Sequence, residues 1–178
     1  MLIISTDKLI YQRASGKQEK SRHNKTTALI KKERMNMSIR VPYETVKSTV
    51  TQAFLNLGLS QEKAEKCAEI HTESSLEGIE SHGLNRVPRF AEYVQKGWVD
   101  INAEPELVGA KGAVENYDGH LGIGTLNATF CMDRAVALAK EHGIGCVALK
   151  NTTHWMRGGS YAWQAAQAGF IGISWTNT

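Results

Sequence analysis

Residues 80–90 of the sequence read Glu80-Ser81-His82-Gly83-Leu84-Asn85-Arg86-Val87-Pro88-Arg89-Phe90. Pro88 cannot donate a helical hydrogen bond, so it belongs in the first turn of a helix. Asn85 is a good N-cap for that helix, and His82 is then expected on the turn that leads into its N-terminus. A helix N-terminus with Arg86 just inside it favours a bound anion and disfavours a charged imidazole.

Two interpretations of this stretch are open from its residues alone. In the first, it is a surface turn whose charges are solvated. In the second, His82 titrates beside an arginine clamp for a carboxylate, which is what an enzyme acting on a 2-oxo or 2-hydroxy acid needs.

The charge distribution separates the first part of the chain from the rest. The 178 residues carry a net charge of +3, to which residues 1–38 contribute +6 and residues 39–178 contribute −3. A mildly acidic body gives little support to nucleic-acid binding, and no apolar run has the length of a membrane span. Residues 1–38 are polar and basic, so we expect a disordered extension, with Met35 or Met37 as the natural start.

The cysteines and histidines indicate neither disulfides nor a metal site. The three cysteines lack CxxC spacing and lie in apolar stretches, so buried reduced thiols in a cytoplasmic protein are expected. The six histidines form no HxH or HExxH pattern, so no metal ligand is predicted. The N-terminus also lacks the long apolar core of a signal peptide.

Helix and strand patterns divide the remaining chain near residue 97. Apolar residues recur at helical spacing in three segments of residues 39–97, which predicts a helical domain that presents His82 at a turn. Residues 98–178 predict an α/β sheet domain. Its expected elements are a hairpin about residues 111–112, a helix over about 126–142, buried strands at 144–149 and 170–175, and a short helix over 161–168.

One glycine-rich segment invites a dinucleotide-binding interpretation. It reads Gly119-His120-Leu121-Gly122-Ile123-Gly124 and lies between a predicted strand and a predicted helix. Asn127 occupies the position of the third glycine, and no acidic residue ends the next strand at the required distance. We therefore favour a structural glycine turn.

A second group of chemically active side chains follows the first buried strand. It reads Asn151-Thr152-Thr153-His154-Trp155-Met156-Arg157-Gly158-Gly159-Ser160. Ligands in open α/β sheets gather at the carboxyl ends of strands, where His154 can exchange a proton with a substrate. The alternative is a connecting loop whose Trp155 and Met156 belong to the core.

Four segments together resemble the malate/L-lactate dehydrogenase family that does not use a Rossmann fold. They are residues 80–90, 142–145, 151–161 and 175–177, and the resemblance runs from about Ile39 to Thr178. It implies an N-terminal helical unit followed by an incomplete, non-Rossmann nicotinamide-binding α/β sheet domain. It also implies a cytoplasmic, homodimeric oxidoreductase that uses NADH or NADPH.

Within the family, the motif of residues 154–161 most resembles members that reduce 2,3-diketo-L-gulonate to 3-dehydro-L-gulonate, so the implied substrate is a small 2-oxo sugar acid. The resemblance gives His82 the role of proton donor. It assigns Ser81 and Arg86 to substrate binding, with Arg86 on the carboxylate. His154 matches a competing acid/base group, and Thr178 matches a contact to NAD.

Family members are much longer than the matching region. The chain is therefore expected to lack most of the cofactor contacts and to be inactive alone. Two alternatives are another 2-hydroxy acid dehydrogenase of the family, acting on malate, lactate or ureidoglycolate, and a noncatalytic truncated remnant.

Overall fold

The computed structural model describes residues 40–176 and, for the backbone alone, residues 2–6. The described residues from Tyr43 onward and the strand at residues 2–6 belong to one compact unit. Its elements are β1 (Leu2–Thr6), α1 (Tyr43–Asn56), α2 (Gln61–Leu76), α3 (Val87–Gln95), β2 (Glu106–Lys111), β3 (Val114–Gly122), α4 (Gly124–His142), β4 (Cys146–Thr152), α5 (Gly158–Gln167) and β5 (Ile173–Thr176). Two short 3-10 turns, Glu80–His82 and Leu84–Arg86, connect α2 to α3.

The first three helices pack around Phe54, which is fully buried. The Phe54 ring contacts Phe90 and the imidazole of His71 edge-on, at centroid distances of 5.2 and 5.4 Å. Ile123, the residue before α4, belongs to the same apolar cluster, so helical and sheet parts share buried surface. Ser60 caps α2 by accepting a hydrogen bond from the Lys63 amide at 3.4 Å, as its position before the helix predicts.

The sheet has the strand order β2-β3-β4-β1-β5. Strands β2 and β3 form the predicted antiparallel hairpin, and β4 pairs parallel with β3. Helices α4 and α5 cover the sheet through a second apolar cluster that includes Met132, Val147 and Tyr161. The predicted α/β class is confirmed, with the helices of residues 43–95 ahead of strands β2 to β5 and with β1 added to the sheet from the N-terminus.

Several details of residues 98–178 differ from the sequence-based expectation; for example, β4 and β5 begin at Cys146 and Ile173, later than predicted. Strand β5 is not buried: Ile173 and Trp175 are 51% and 45% exposed, because β5 lies at the end of the strand order. Helix α5 begins at Gly158, three residues earlier than predicted. Cys67 and Cys131 are buried free thiols as predicted, whereas Cys146 is only partly buried.

A strand at the N-terminus lies within the extension expected to be disordered. Strand β1 pairs parallel with both β4 and β5, and the disorder of residues 1–38 as a whole stays a prediction. The physical reason for the pairing is that Leu2, Ile3 and Ile4 form a short apolar run with two β-branched residues, and β1 satisfies backbone groups that β4 and β5 would otherwise leave unpaired. The remainder of that extension, with Met35 and Met37, lies outside the described residues.

The predicted domain boundary falls where the helices give way to the sheet. Helix α3 ends at Gln95 and β2 begins at Glu106. The division into two domains at this point stays a prediction. Within the described ranges, none of the helices has both the length and the apolar character needed to cross a membrane.

Replacing Phe54 with Ala should strongly destabilise the chain. The side chain is fully buried, so its loss removes apolar burial and leaves a cavity, with an expected cost of about 3–5 kcal/mol in the free energy of unfolding. Urea unfolding followed by circular dichroism measures this cost. Phe130→Ala is the matched control, because Phe130 is 36% exposed and should cost much less. Equal losses in the two variants would contradict the described core.

Candidate active site

The loop that carries His82 is fixed against the end of α2. The Ser75 hydroxyl accepts a hydrogen bond from the Leu84 amide at 2.8 Å. Gly83 lies directly over this hydroxyl, since a Cβ built at Gly83 would fall 2.0 Å from Ser75 Oγ. Glycine is therefore required between the two 3-10 turns, and the Ser75 contact determines where His82 lies.

The start of α3 differs from the predicted one. The cap position is Arg86, and Pro88 lies in the first turn of the helix, as its chemistry requires. Asn85 lies within the second 3-10 turn and is not the N-cap. Asn85 is a residue type that often caps helices, but here it lies inside the 3-10 turn that Ser75 anchors, so it cannot occupy the cap position. His82 therefore precedes α3 by a full extra turn.

Ser81, His82 and Arg86 lie together on these turns. Ser81 Oγ is 2.8 Å from His82 Nδ1, so the hydroxyl orients the imidazole. Arg86 Nε donates a hydrogen bond to the carbonyl oxygen of Ser81 at 2.7 Å. This bond uses one of the five guanidinium N–H groups and holds Arg86 beside His82, so the remaining N–H groups can bind a carboxylate.

The loop that carries His154 is fixed against the glycines at the start of α4. Thr153 Oγ1 accepts a hydrogen bond from the Gly124 amide at 2.9 Å and donates one to the Gly122 carbonyl at 2.8 Å. A Cβ at Gly124 would lie 2.1 Å from the Thr153 carbonyl oxygen. The segment was predicted to be a structural glycine turn, but residues 119–122 form the irregular end of β3, where the register with β4 shifts between Asp118 and Gly122. The role of Gly124 is structural, because its missing Cβ allows the His154 loop to pack against the start of α4.

The two predicted histidines face each other. The rings of His82 and His154 are stacked, with centroids 5.6 Å apart and planes 25° from parallel. At the edge of the same ring, His154 Nδ1 accepts a hydrogen bond from the Met156 amide at 3.0 Å. The sequence separates these imidazoles by 72 positions, and the structure brings them together as acid/base candidates.

The surroundings of His154 favour its neutral form. Loss of water around the ring lowers the pKa of His154, and the nearby Arg86 guanidinium lowers it further. His82, His71 and Arg89 act in the same direction. Because part of His154 is exposed to solvent, the surrounding water weakens these effects, but all the charges act with the same sign.

Sequence reasoning missed several residues that build this site. An ion pair between Arg157 and Glu77 joins the loop of His154 to the end of α2, from which the loop of His82 departs. Ser75 is a third such residue. No local pattern announces these roles, because each one depends on a partner from another element.

Other features lie apart from the two histidines. A groove of about 700 Å³ between α1 and α2 is lined mainly by polar and charged side chains, among them Lys47, Glu65 and Glu69, and it includes neither His82 nor His154. Thr178, the predicted cofactor contact, lies outside the described residues. Within the part of the chain that the structure describes, no group of three or more His, Cys, Asp or Glu side chains could hold a metal ion.

Comparison with known proteins gives this geometry a family context. A profile of the malate/L-lactate dehydrogenase family matches residues 41–178. The 2,3-diketo-L-gulonate reductase of Shigella boydii is 45% identical over 140 residues, which cover 79% of this chain and 42% of that protein. The reductase of the same name from Haemophilus influenzae is 47% identical over 139 residues, 78% of this chain and 42% of that protein.

Solved structures of related dehydrogenases have a similar fold. Malate dehydrogenase from Pyrococcus horikoshii matches with a TM-score of 0.72 and 30% identity, over 74% of this chain and 38% of that one. The chain therefore belongs to the malate/L-lactate dehydrogenase family, whose members in general depend on a nicotinamide cofactor. It spans about 42% of the length of the curated relatives that it matches.

Replacing Gly124 with Ala should displace the loop of His154. The added methyl group would collide with the Thr153 carbonyl, so the loop must move away from α4. We expect the nuclear Overhauser contacts between the His82 and His154 rings to weaken or vanish. Gly158→Ala is the matched control, because a Cβ at Gly158 meets nothing within 4 Å. Unchanged ring contacts in Gly124→Ala would contradict the described packing.

Proposed function

We propose that this chain forms the substrate side of a cytoplasmic, homodimeric oxidoreductase that reduces a 2-oxo acid with NADH or NADPH. The proposed substrate is 2,3-diketo-L-gulonate and the product 3-dehydro-L-gulonate, after the curated relatives with 45–47% identity. The observation that carries the proposal is the stacked pair of His82 and His154 beside Arg86. These groups supply the acid/base and anion-binding chemistry that reduction of an oxo acid requires.

Each side chain has a role in the proposed reaction. Arg86 binds the substrate carboxylate with its free N–H groups, and Ser81 orients the imidazole of His82. His82 or His154 donates a proton to the carbonyl oxygen as that oxygen gains negative charge. The nicotinamide supplies the hydride when it is bound. Of the residues that would hold it, Thr178 is the one we propose from this chain.

The choice of this substrate over other oxo acids is tested with a chimera. Residues 41–178 replace the matching segment of the Shigella boydii reductase, which supplies the rest of a complete protein. The chimera is assayed with 2,3-diketo-L-gulonate, oxaloacetate and pyruvate, with each reduced nicotinamide. Preference for the sugar acid supports the proposal. A folded chimera that reduces only oxaloacetate or pyruvate would move the assignment to a malate or lactate dehydrogenase.

Replacing His82 with Ala in this chimera should lower kcat by about 10²–10⁴, the usual effect of losing an acid/base group. Steady-state kinetics across pH measure the loss. His120→Ala is the control, since His120 lies apart from the pair and contacts Glu106 at 2.8 Å. Near-normal turnover in His82→Ala would assign proton transfer to His154.

Replacing Arg86 with Lys should raise KM for the oxo acid by about tenfold while kcat changes less. Lysine keeps the charge but cannot bind a carboxylate through two parallel N–H groups. Arg89→Lys is the matched control, because Arg89 is exposed on α3 and is not bonded to the Ser81 turn. An equal rise in KM for both variants would contradict a specific contact between Arg86 and the substrate carboxylate.

A further inference from the structure

The peptide bond between Trp155 and Met156 is held at both of its polar ends. Its carbonyl oxygen, on Trp155, accepts a hydrogen bond from the Tyr161 hydroxyl at 2.5 Å. Its amide, on Met156, donates to His154 Nδ1 at 3.0 Å. A single peptide unit thus connects the buried tyrosine hydroxyl to the imidazole.

The surroundings make this arrangement rigid. Tyr161 is only 1% exposed, and its ring stacks on that of Trp155 at 5.2 Å with 12° between the planes. Met156 has a φ of +64°, a backbone conformation that costs free energy for a residue other than glycine. The two hydrogen bonds and the ring stack keep the backbone in this position, with the Met156 N–H pointing at His154.

The hydrogen bond to His154 identifies which ring nitrogen carries the proton. A backbone N–H is only a donor, so Nδ1 of His154 must be unprotonated, and the neutral ring then has its proton on Nε2. Protonating Nδ1 would break the bond to Met156. The Tyr161 hydroxyl polarises the same peptide from its carbonyl end, and this strengthens the N–H donor.

We propose that Tyr161 is a positioning residue, which acts through the Trp155–Met156 peptide to hold His154 neutral with its proton on Nε2. The consequence for chemistry rests on the proposed function. A neutral Nε2–H donates a hydrogen bond to the substrate carbonyl oxygen and stabilises its developing charge without giving up its proton. His82 then transfers the proton, which divides the work between the stacked rings.

The charged groups around the ring act in the same direction. The positive charges of Arg86 and Arg89, and those of His82 and His71 when protonated, all disfavour an imidazolium at His154. Burial raises the pKa of Tyr161, so its hydroxyl remains a donor to the Trp155 carbonyl. Both the local hydrogen bonds and the wider field therefore favour the same protonation state of His154.

Imidazole nitrogen NMR on the 15N-labelled 178-residue chain tests the proposal directly. We expect the neutral Nε2–H pattern for His154 near neutral pH, and a coupling through the hydrogen bond between the Met156 and His154 nitrogens. Protonation of His154 should require a lower pH than that of an ordinary histidine, because the neutral form is favoured in the folded state. An Nδ1–H or imidazolium pattern near pH 7, or the absence of the coupling, overturns the proposal without any variant.

Two tyrosine variants isolate the role of the hydroxyl. Tyr161→Phe keeps the ring stack but weakens the Met156 donor, so the midpoint of His154 protonation should rise, on the order of a few tenths of a pH unit. Tyr117→Phe is the matched control, because Tyr117 is also buried and its hydroxyl bonds Glu115. Identical His154 titrations in the two variants would remove Tyr161 from the proposal. Should Tyr161→Phe fail to fold, absence of the Met156–His154 coupling in the unsubstituted chain would still overturn the proposal.

Adding 2,3-diketo-L-gulonate, the proposed substrate, separates this proposal from the proposed function. Shifts at His82, Arg86 and His154 that saturate with this acid support oxo-acid binding. No binding, combined with the Nε2–H pattern, would contradict the proposed function and leave the role of Tyr161 standing. Binding combined with an Nδ1–H pattern would support the proposed function and contradict the role of Tyr161.

Discussion

The contact between His82 and His154 depends on two places where a glycine lies against a hydroxyl-bearing residue. Gly83 lies on Ser75, and Gly124 lies against Thr153. In each case the absence of a Cβ allows a backbone approach that any other residue would block, and the hydroxyl fixes the loop with a hydrogen bond. The two imidazoles stack because a hydrogen bond to Ser75 fixes the loop of His82 and a hydrogen bond to Thr153 fixes the loop of His154.

The stacked pair also constrains the charge of the site. Two imidazolium rings 5.6 Å apart beside Arg86 would repel each other, so the arrangement favours a neutral ring at one of the two positions. The Met156 amide assigns that state to His154. A bound carboxylate at Arg86 would offset the positive field and change the balance, which gives the substrate itself an influence on protonation.

The helical segment and the sheet contribute unequal parts. Helix α2 and the two 3-10 turns supply His82, Arg86 and the Ser75 anchor, while the end of β4 supplies His154. The ion pair between Glu77 and Arg157 joins the two parts next to the site. The proposed chemistry therefore occurs where the end of a strand meets a turn between helices, and neither part contains it alone.

Much of the architecture follows from local pattern. The hairpin, the long helix α4 and the buried strand β4 were predictable, because apolar periodicity and turn residues act over a few positions. The exposure of β5 was not, since burial of a strand depends on its place in the sheet. The pairing of β1 was missed because a short apolar run in a polar segment has no partner that the sequence reveals.

The sequence by itself determined the residue types of the site. His82, Arg86 and His154 stand out because proline, glycine and strand ends place them on turns, and turn chemistry is local. Only the tertiary structure decided that the two histidines stack, that Ser75 and Thr153 anchor them, and that Tyr161 reaches His154 through a peptide bond. Each of these contacts joins residues from different elements, and the free energy of such a contact depends on packing that no short stretch encodes.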